Sequence, residues 1–152
     1  MGGAGEEPQS VLFACALNAV RSPMAAAILQ HLTAGRLRVA SAGVRPGLPD
    51  PYAVAVMDEI GIDISDHEPA PLKDLEGETF DLIVTLSPEA HHHGVELTRS
   101  MPAAIEYWPT PDATAVLESE DRATIMAAYR EVRDVIFQRV KDRFMPASGP
   151  SV

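Results

Sequence analysis

Cys15 and Arg21 stand six residues apart, and Ser22 follows the arginine directly. This C-x5-R-S pattern is built on the only cysteine of a 152-residue chain. A sulfur at one end of such a loop and a guanidinium at the other suit displacement at a tetrahedral oxyanion. The guanidinium is planar, always charged, and matches two phosphate oxygens at once. Ala16, Leu17, Asn18, Ala19, Val20, Arg21 and Ser22 would form the phosphate-binding loop. Successive amides in such a turn, reinforced by a helix N-terminus, make an anion nest. The same donors and charge favour a thiolate at Cys15. A thiolate can attack phosphorus and form a covalent phosphocysteine, splitting one hard step into two. Ser22 can give its hydroxyl proton to that sulfur. Asn18 tolerates positive φ and can bond neighbouring backbone. The plain alternative is a small, buried, apolar cysteine at a strand end. The residues on either side decide for the loop.

Val11, Leu12, Phe13 and Ala14 form an apolar run suited to a strand covered on both faces. Ser22 reads as an N-cap with Pro23 at the first helical position. A helix over residues 23–34 follows, with Met24, Ile28 and Leu32 as its buried stripe and Gly35 as its stop. A second strand is expected over 37–42, then a loop rich in proline and glycine to residue 51. A helix over 52–60 ends at Gly61, and residues 62–79 read as irregular. Further strands fall at 80–86 and 104–108, with a helix over 88–100 between them. A final helix over 120–144 carries Ile125, Ala128, Tyr129, Val132, Ile136 and Val140 at helical spacing. The alternation predicts an α/β fold: a single three-layer domain, a four-stranded parallel sheet with helices on both faces, and the phosphate-binding loop between strand 1 and helix 1. In such sheets ligands bind beyond the strand C-termini, which is where Cys15 falls.

With these residues in view, the chain resembles the low-molecular-weight protein tyrosine phosphatases and the related arsenate reductases. The likeness runs over about residues 10–144. It rests on Val11-Leu12-Phe13-Ala14-Cys15 and Arg21-Ser22-Pro23-Met24-Ala25, then on Ser41-Ala42-Gly43 and Gly61-Ile62-Asp63-Ile64-Ser65-Asp66-His67. It ends with Phe80-Asp81-Leu82-Ile83-Val84-Thr85-Leu86 and Trp108-Pro109-Thr110-Pro111-Asp112. The resemblance implies Cys15 as nucleophile, Arg21 as phosphate clamp, and Asn18, Ser22 and Ser41 as loop supports. It implies Asp112 as the acid that protonates the leaving group. The chain departs from the family pattern at Leu17, where Gly is usual, and at Val20, where many phosphatases carry a second cysteine. It also departs at Ala113, where proline usually follows the acid. No aromatic residue follows Ser41-Ala42-Gly43 closely, and the stretch from Val44 to Met57 looks more like the reductase branch.

Three functions remain open on this reading. The first is a metal-free, cofactor-free phosphatase acting on a phosphorylated protein or a small aryl phosphate. The second is an arsenate reductase. Thioredoxin-coupled members pass a disulfide among three cysteines, so one cysteine would require an external small thiol. The third is a module that binds inorganic phosphate, other oxyanions or phosphoproteins without turnover.

Composition bounds the rest. A formal charge of −10 argues against nucleic-acid and anionic-membrane partners, which need basic patches. No apolar run approaches a membrane span. A lone reduced cysteine suits the cytoplasm. Residues 1–9 and 145–152 read as flexible tails around one domain over 10–144. Asp112 has a plain alternative as a turn or cap aspartate, and Asp50 is the fallback acid. His91, His92 and His93 read as surface histidines, since neighbouring helical positions diverge and nothing completes a metal site. His67 could brace a loop near Ser41, and Trp108 could line a rim or pack in the core.

Overall fold

A computed structural model describes residues 7–118 and 121–145. Four parallel strands form one sheet: β1 (Ser10–Cys15), β2 (Arg38–Gly43), β3 (Leu82–Thr85) and β4 (Ala104–Tyr107), in the order β2-β1-β3-β4. The helices are α1 (Arg21–Leu32), α2 (Pro51–Asp58), α3 (Pro88–Leu97) and α4 (Arg122–Phe144). The α/β expectation therefore holds. The sheet runs to one side of β1 and then returns to the other, so the C-terminal end of β1 lies at the switch point.

Alternation along β1 builds two cores. Val11, Phe13 and Cys15 enter the larger one, where α1, α2 and α4 supply Met24, Ile28, Val56, Tyr129, Val132 and Ile136. Leu12 enters a smaller core with Ala42, Phe80, Ile83 and Met101. Burial on both faces explains why β1 reads as an unbroken apolar run. The α4 stripe is as expected, apart from Ala128, which is half-buried.

Several boundaries differ from the sequence reading. The final helix starts at Arg122, and Glu120 lies outside the described residues. Within the stretch read as irregular, Leu72–Leu75 forms a 3-10 turn, and Pro71 bridges Gly43 at the sheet edge. A second 3-10 turn, Ala113–Val116, was not expected. The expected tail over residues 1–9 does not reach Pro8 and Gln9. Pro8 is buried, the Gln9 N–H donates to Asp81, and the Gln9 carbonyl accepts from Arg38. Residues 1–6 and 146–152 lie outside the described residues.

The largest correction concerns α1. It begins at Arg21, two residues before Pro23, and no side chain caps it. Ser22 is thus inside the helix rather than before it. The same X-Pro signal works as expected elsewhere. Ser87 caps α3 ahead of Pro88, and Asp50 caps α2 ahead of Pro51. At Ser22 the hydroxyl is engaged by other side chains, described below.

One ion-pair cluster clamps α2 to α4. Glu59 accepts from Arg130 through both of its oxygens and from the mostly buried Arg133, which also donates to the Val56 carbonyl. The hydrogen bonds from Arg130 and Arg133 outweigh partial desolvation and hold the Glu59 carboxyl at about 2, against an ordinary 4.5. A carboxyl depressed in the folded state stabilises the fold fully above the unfolded value and loses that contribution as pH falls toward the folded one. Thermal unfolding between pH 7 and pH 2 should therefore show a lower midpoint for Glu59→Gln at neutral pH. The wild-type advantage should shrink below pH 4.5 and vanish near pH 2.

Candidate active site

The chain leaves β1 at Cys15 and enters α1 at Arg21, so five residues make the turn. Asn18 sits in its middle with φ 56°, a left-handed conformation that asparagine adopts more readily than most residues. Its side chain is fully buried and fully used. The Nδ2 group donates to Ser22 Oγ at 2.8 Å and to Ser41 Oγ at 2.9 Å, while Oδ1 accepts from the Ala70 N–H at 2.9 Å. His67 Nε2 donates to the Asn18 carbonyl at 2.8 Å. A carbonyl only accepts, so Nε2 must carry the proton. His67 thus braces the loop through Asn18, the residue that also bonds Ser41.

The backbone of the loop is polarised. The segment after β2 takes its carbonyls: Val44 N–H donates to Cys15, Arg45 to Ala16, and Gly47 to Leu17. Met24 donates to the Val20 carbonyl. Among the described residues, no N–H from Leu17 to Ser22 donates to any group. Satisfied carbonyls and unspent amides next to a helix N-terminus are the physical definition of an anion nest. The missing cap on α1 belongs to this arrangement, since a capping side chain would occupy the donors. Gly43 makes the close approach. A Cβ there would lie 2.8 Å from the Asn18 nitrogen, the Leu17 carbonyl carbon and the Arg45 oxygen.

Cys15 is 2% exposed, and its Sγ lies 3.0 Å from Ser22 Oγ. Ser22 already accepts from Asn18, and its own proton is shared between the sulfur at 3.0 Å and the Ala42 carbonyl at 3.5 Å. Arg21 is largely buried and donates to the Thr110 carbonyl at 3.0 Å. Its other terminal nitrogen lies 4.0 Å from Asp112 Oδ2. The sequence therefore named residues that the fold does bring together: Cys15, Asn18, Arg21, Ser22, Ser41 and Asp112.

Asp112 takes its plain reading as a cap, at the Ala113–Val116 turn, and lies beside the loop arginine, Arg21. Its Oδ1 accepts from the Thr114 N–H at 2.9 Å and from the Thr114 hydroxyl at 2.6 Å. Burial pushes this carboxyl up, but the Thr114 hydrogen bonds and the Arg21 charge prevail and hold it below the ordinary carboxylate value.

Asp50, the fallback acid, is committed elsewhere. Its Oδ1 caps α2, and its Oδ2 accepts from the buried Tyr129 hydroxyl at 2.6 Å. Burial, then the bond to Asp50, push the Tyr129 phenol up, with a smaller contribution from Asp112. Tyr129 is thus a phenol donor held by Asp50, a link that the helical stripe alone does not reveal. Thr110, Thr114 and Ala70 were also missed, because each acts through its place in a loop. Gly43 did leave a signal, in the Ser-Ala-Gly run that ends β2.

The histidine run divides. His92 and His93 are exposed, but His91 is half-buried, hydrogen-bonded to Thr85 at 2.9 Å and stacked on Tyr107. Trp108 packs edge-on against Phe13 and near Phe144, so the core reading is the correct one.

Two substitutions test the loop. Asn18→Ala leaves buried partners unsatisfied and should cost about 2–4 kcal/mol in denaturant unfolding. It should also weaken phosphate binding measured by calorimetry. Gly43→Ala drives a methyl group into backbone, so phosphate binding should be lost while far-UV circular dichroism stays close to wild type.

Comparison with known proteins agrees with this geometry. The family model described as low molecular weight phosphotyrosine protein phosphatase matches residues 10–145. An arsenate reductase of Halalkalibacterium halodurans is 32% identical over 133 residues, covering 86% of this chain and 91% of that one. A glutaredoxin arsenate reductase of Synechocystis is 35% identical over 78 residues, covering 51% of this chain and 60% of that relative. A solved arsenate reductase in a phosphate-binding state superposes with a TM-score of 0.69 at 26% identity, covering 92% of this chain and 99% of that one. A family match over nearly the whole chain, joined to a polarised loop between β1 and α1, means that this protein belongs to the low molecular weight phosphotyrosine protein phosphatase family.

Proposed function

We propose that this protein is a cysteine-dependent phosphatase of aryl phosphates or phosphotyrosine. The observation that carries the reading is the polarised loop, whose carbonyls at Cys15, Ala16, Leu17, Asn18 and Val20 are taken and whose amides from Leu17 to Ser22 are unspent, with the Cys15 sulfur at its entry. Cys15 attacks phosphorus as a thiolate, and an S–P bond forms as the P–O bond to the leaving group breaks. The loop amides and Arg21 carry the negative charge that builds on the three equatorial oxygens. Asp112 gives a proton to the departing oxygen. Water then attacks phosphorus, Asp112 takes its proton, phosphate leaves, and the thiolate is restored. Ser22, held by Asn18, stabilises the sulfur as it leaves. The cycle needs only water, which one cysteine can serve.

A second reading is arsenate reduction, favoured by the relatives named above. Cys15 would displace an oxygen of arsenate as water and form an S–As bond. An external thiol would then attack the Cys15 sulfur. The electron pair of the S–As bond would pass to arsenic, releasing arsenite and leaving a mixed disulfide on Cys15. A second external thiol would regenerate Cys15. The chain has one cysteine, so both reducing thiols must come from outside.

Hydrolysis of p-nitrophenyl phosphate without thiol, beside arsenate reduction with added glutathione, separates the two readings. The phosphatase reading expects metal-independent hydrolysis that falls about 10³-fold or more in Cys15→Ser. Asp112→Asn should slow substrates with poor leaving groups by up to about 10²-fold. Arsenite formation only with thiol, and no hydrolysis, would move the assignment to the reductase. Phosphate binding with neither reaction would leave a binding module.

A further inference from the structure

The outer edge of β2 is only partly covered. The Arg38 N–H donates to the Gln9 carbonyl and the Val44 N–H to the Cys15 carbonyl, so every second residue from Arg38 turns its backbone toward β1. Alternation along the strand then points the N–H and C=O groups of Val39, Ser41 and Gly43 outward. At the C-terminal end the edge is closed, because the Gly43 N–H donates to the Ala70 carbonyl and Gly43 bridges Pro71. Further back, Gln30 Nε2 reaches the Val39 carbonyl at a long 3.5 Å. Among the described residues, the N–H groups of Val39 and Ser41 and the Ser41 carbonyl find no partner on this side.

These groups open into a cavity of about 320 Å³ between β2, α1 and residues 63–67. Ala26, Ala27 and Ile64 give it an apolar wall, Asp63 and Asp66 lie on its lining, and no lysine or arginine does. The Asp66 side chain makes no hydrogen bond or ion pair among the described residues. Asp63 spends one oxygen on the Ser65 N–H at 2.8 Å. Arg38, at the start of β2, is taken by Glu78 and the Thr79 carbonyl. The groove therefore offers strand-edge hydrogen bonds beside uncompensated negative charge.

We propose that this groove docks an extended basic peptide segment, which adds as a short strand along Val39 and Ser41 and sets a cationic side chain against Asp63 and Asp66. An extended chain is the ligand whose donors and acceptors repeat at the spacing of an open strand edge. A small cation would meet the carboxylates but leave the edge unpaired. The formal charge of −10 draws a basic partner and disfavours a second copy of this chain. The site involves no turnover, so it stands independently of the phosphatase reading.

The test titrates isotope-labelled protein with N-acetyl-Arg-Val-Arg-Val-Arg-amide and follows backbone amides by NMR. The Val39 and Ser41 amides should shift and exchange more slowly with solvent. Asp63→Asn and Asp66→Asn, which keep an acceptor oxygen, should each weaken binding about two- to fivefold. N-methylation of the peptide backbone should weaken it about fivefold or more. Glutamate in place of arginine in the peptide should abolish it. Unmoved Val39 and Ser41 amides, undiminished affinity for the N-methylated peptide, or wild-type affinity in both asparagine variants would overturn the docking site. A concentration-dependent dimer that protects the same two amides without peptide would assign the edge to a second copy and overturn it as well.

Discussion

The site depends on one buried amide, the side chain of Asn18. It holds a left-handed residue at the centre of the loop and spends both its donors and its acceptor on three different segments. Ser22 comes from α1, Ser41 from β2, and Ala70 from the strap that crosses toward β3. An unpaired amide at full burial would be costly. The three segments are therefore locked to one another as strongly as to the loop. Through Ser22, the same amide reaches the Cys15 sulfur in one further step.

A second constraint follows from backbone accounting. A tight loop carries as many carbonyls as amides, and an anion tolerates only the amides. The segment after β2 removes the difficulty by donating its own N–H groups to the loop carbonyls. This needs backbone against backbone, which is why Gly43 cannot carry a side chain there. It also accounts for the uncapped start of α1. Ser22 is drawn away to sulfur and Asn18, and the first helical amides remain available.

On the opposite side of the site, carboxylates are ranked by their partners. Asp50 is consumed by a helix N-terminus and a buried phenol. Asp112 has one oxygen consumed and one facing Arg21. Two aspartates next to prolines thus differ in availability because of what surrounds them. Tyr129 joins the two regions, since α4 places its hydroxyl on Asp50 within reach of the Asp112 charge.

Much of this protein is local information and can be read from the chain. An unbroken apolar run before Cys15 predicts a doubly covered strand, and periodicity along residues 125–140 predicts the long helix that covers it. Cysteine, arginine and serine at fixed spacing announce the anion loop, because five intervening residues leave few ways to join a strand to a helix. Other features have no local signature. Ser22-Pro23, Asp50-Pro51 and Ser87-Pro88 carry the same helix-start signal, yet only the latter two behave as caps. Ser22 fails because Asn18 and Cys15 engage its hydroxyl, and those contacts exist only once the loop folds back and α1 packs beside the end of β1. The roles of Asp50 and Asp112 were undecidable in sequence for the same reason. A carboxylate becomes a cap, an acid or a base according to the donors that folding brings to it, and Tyr129, Thr114 and Arg21 reach those carboxylates from three different parts of the chain.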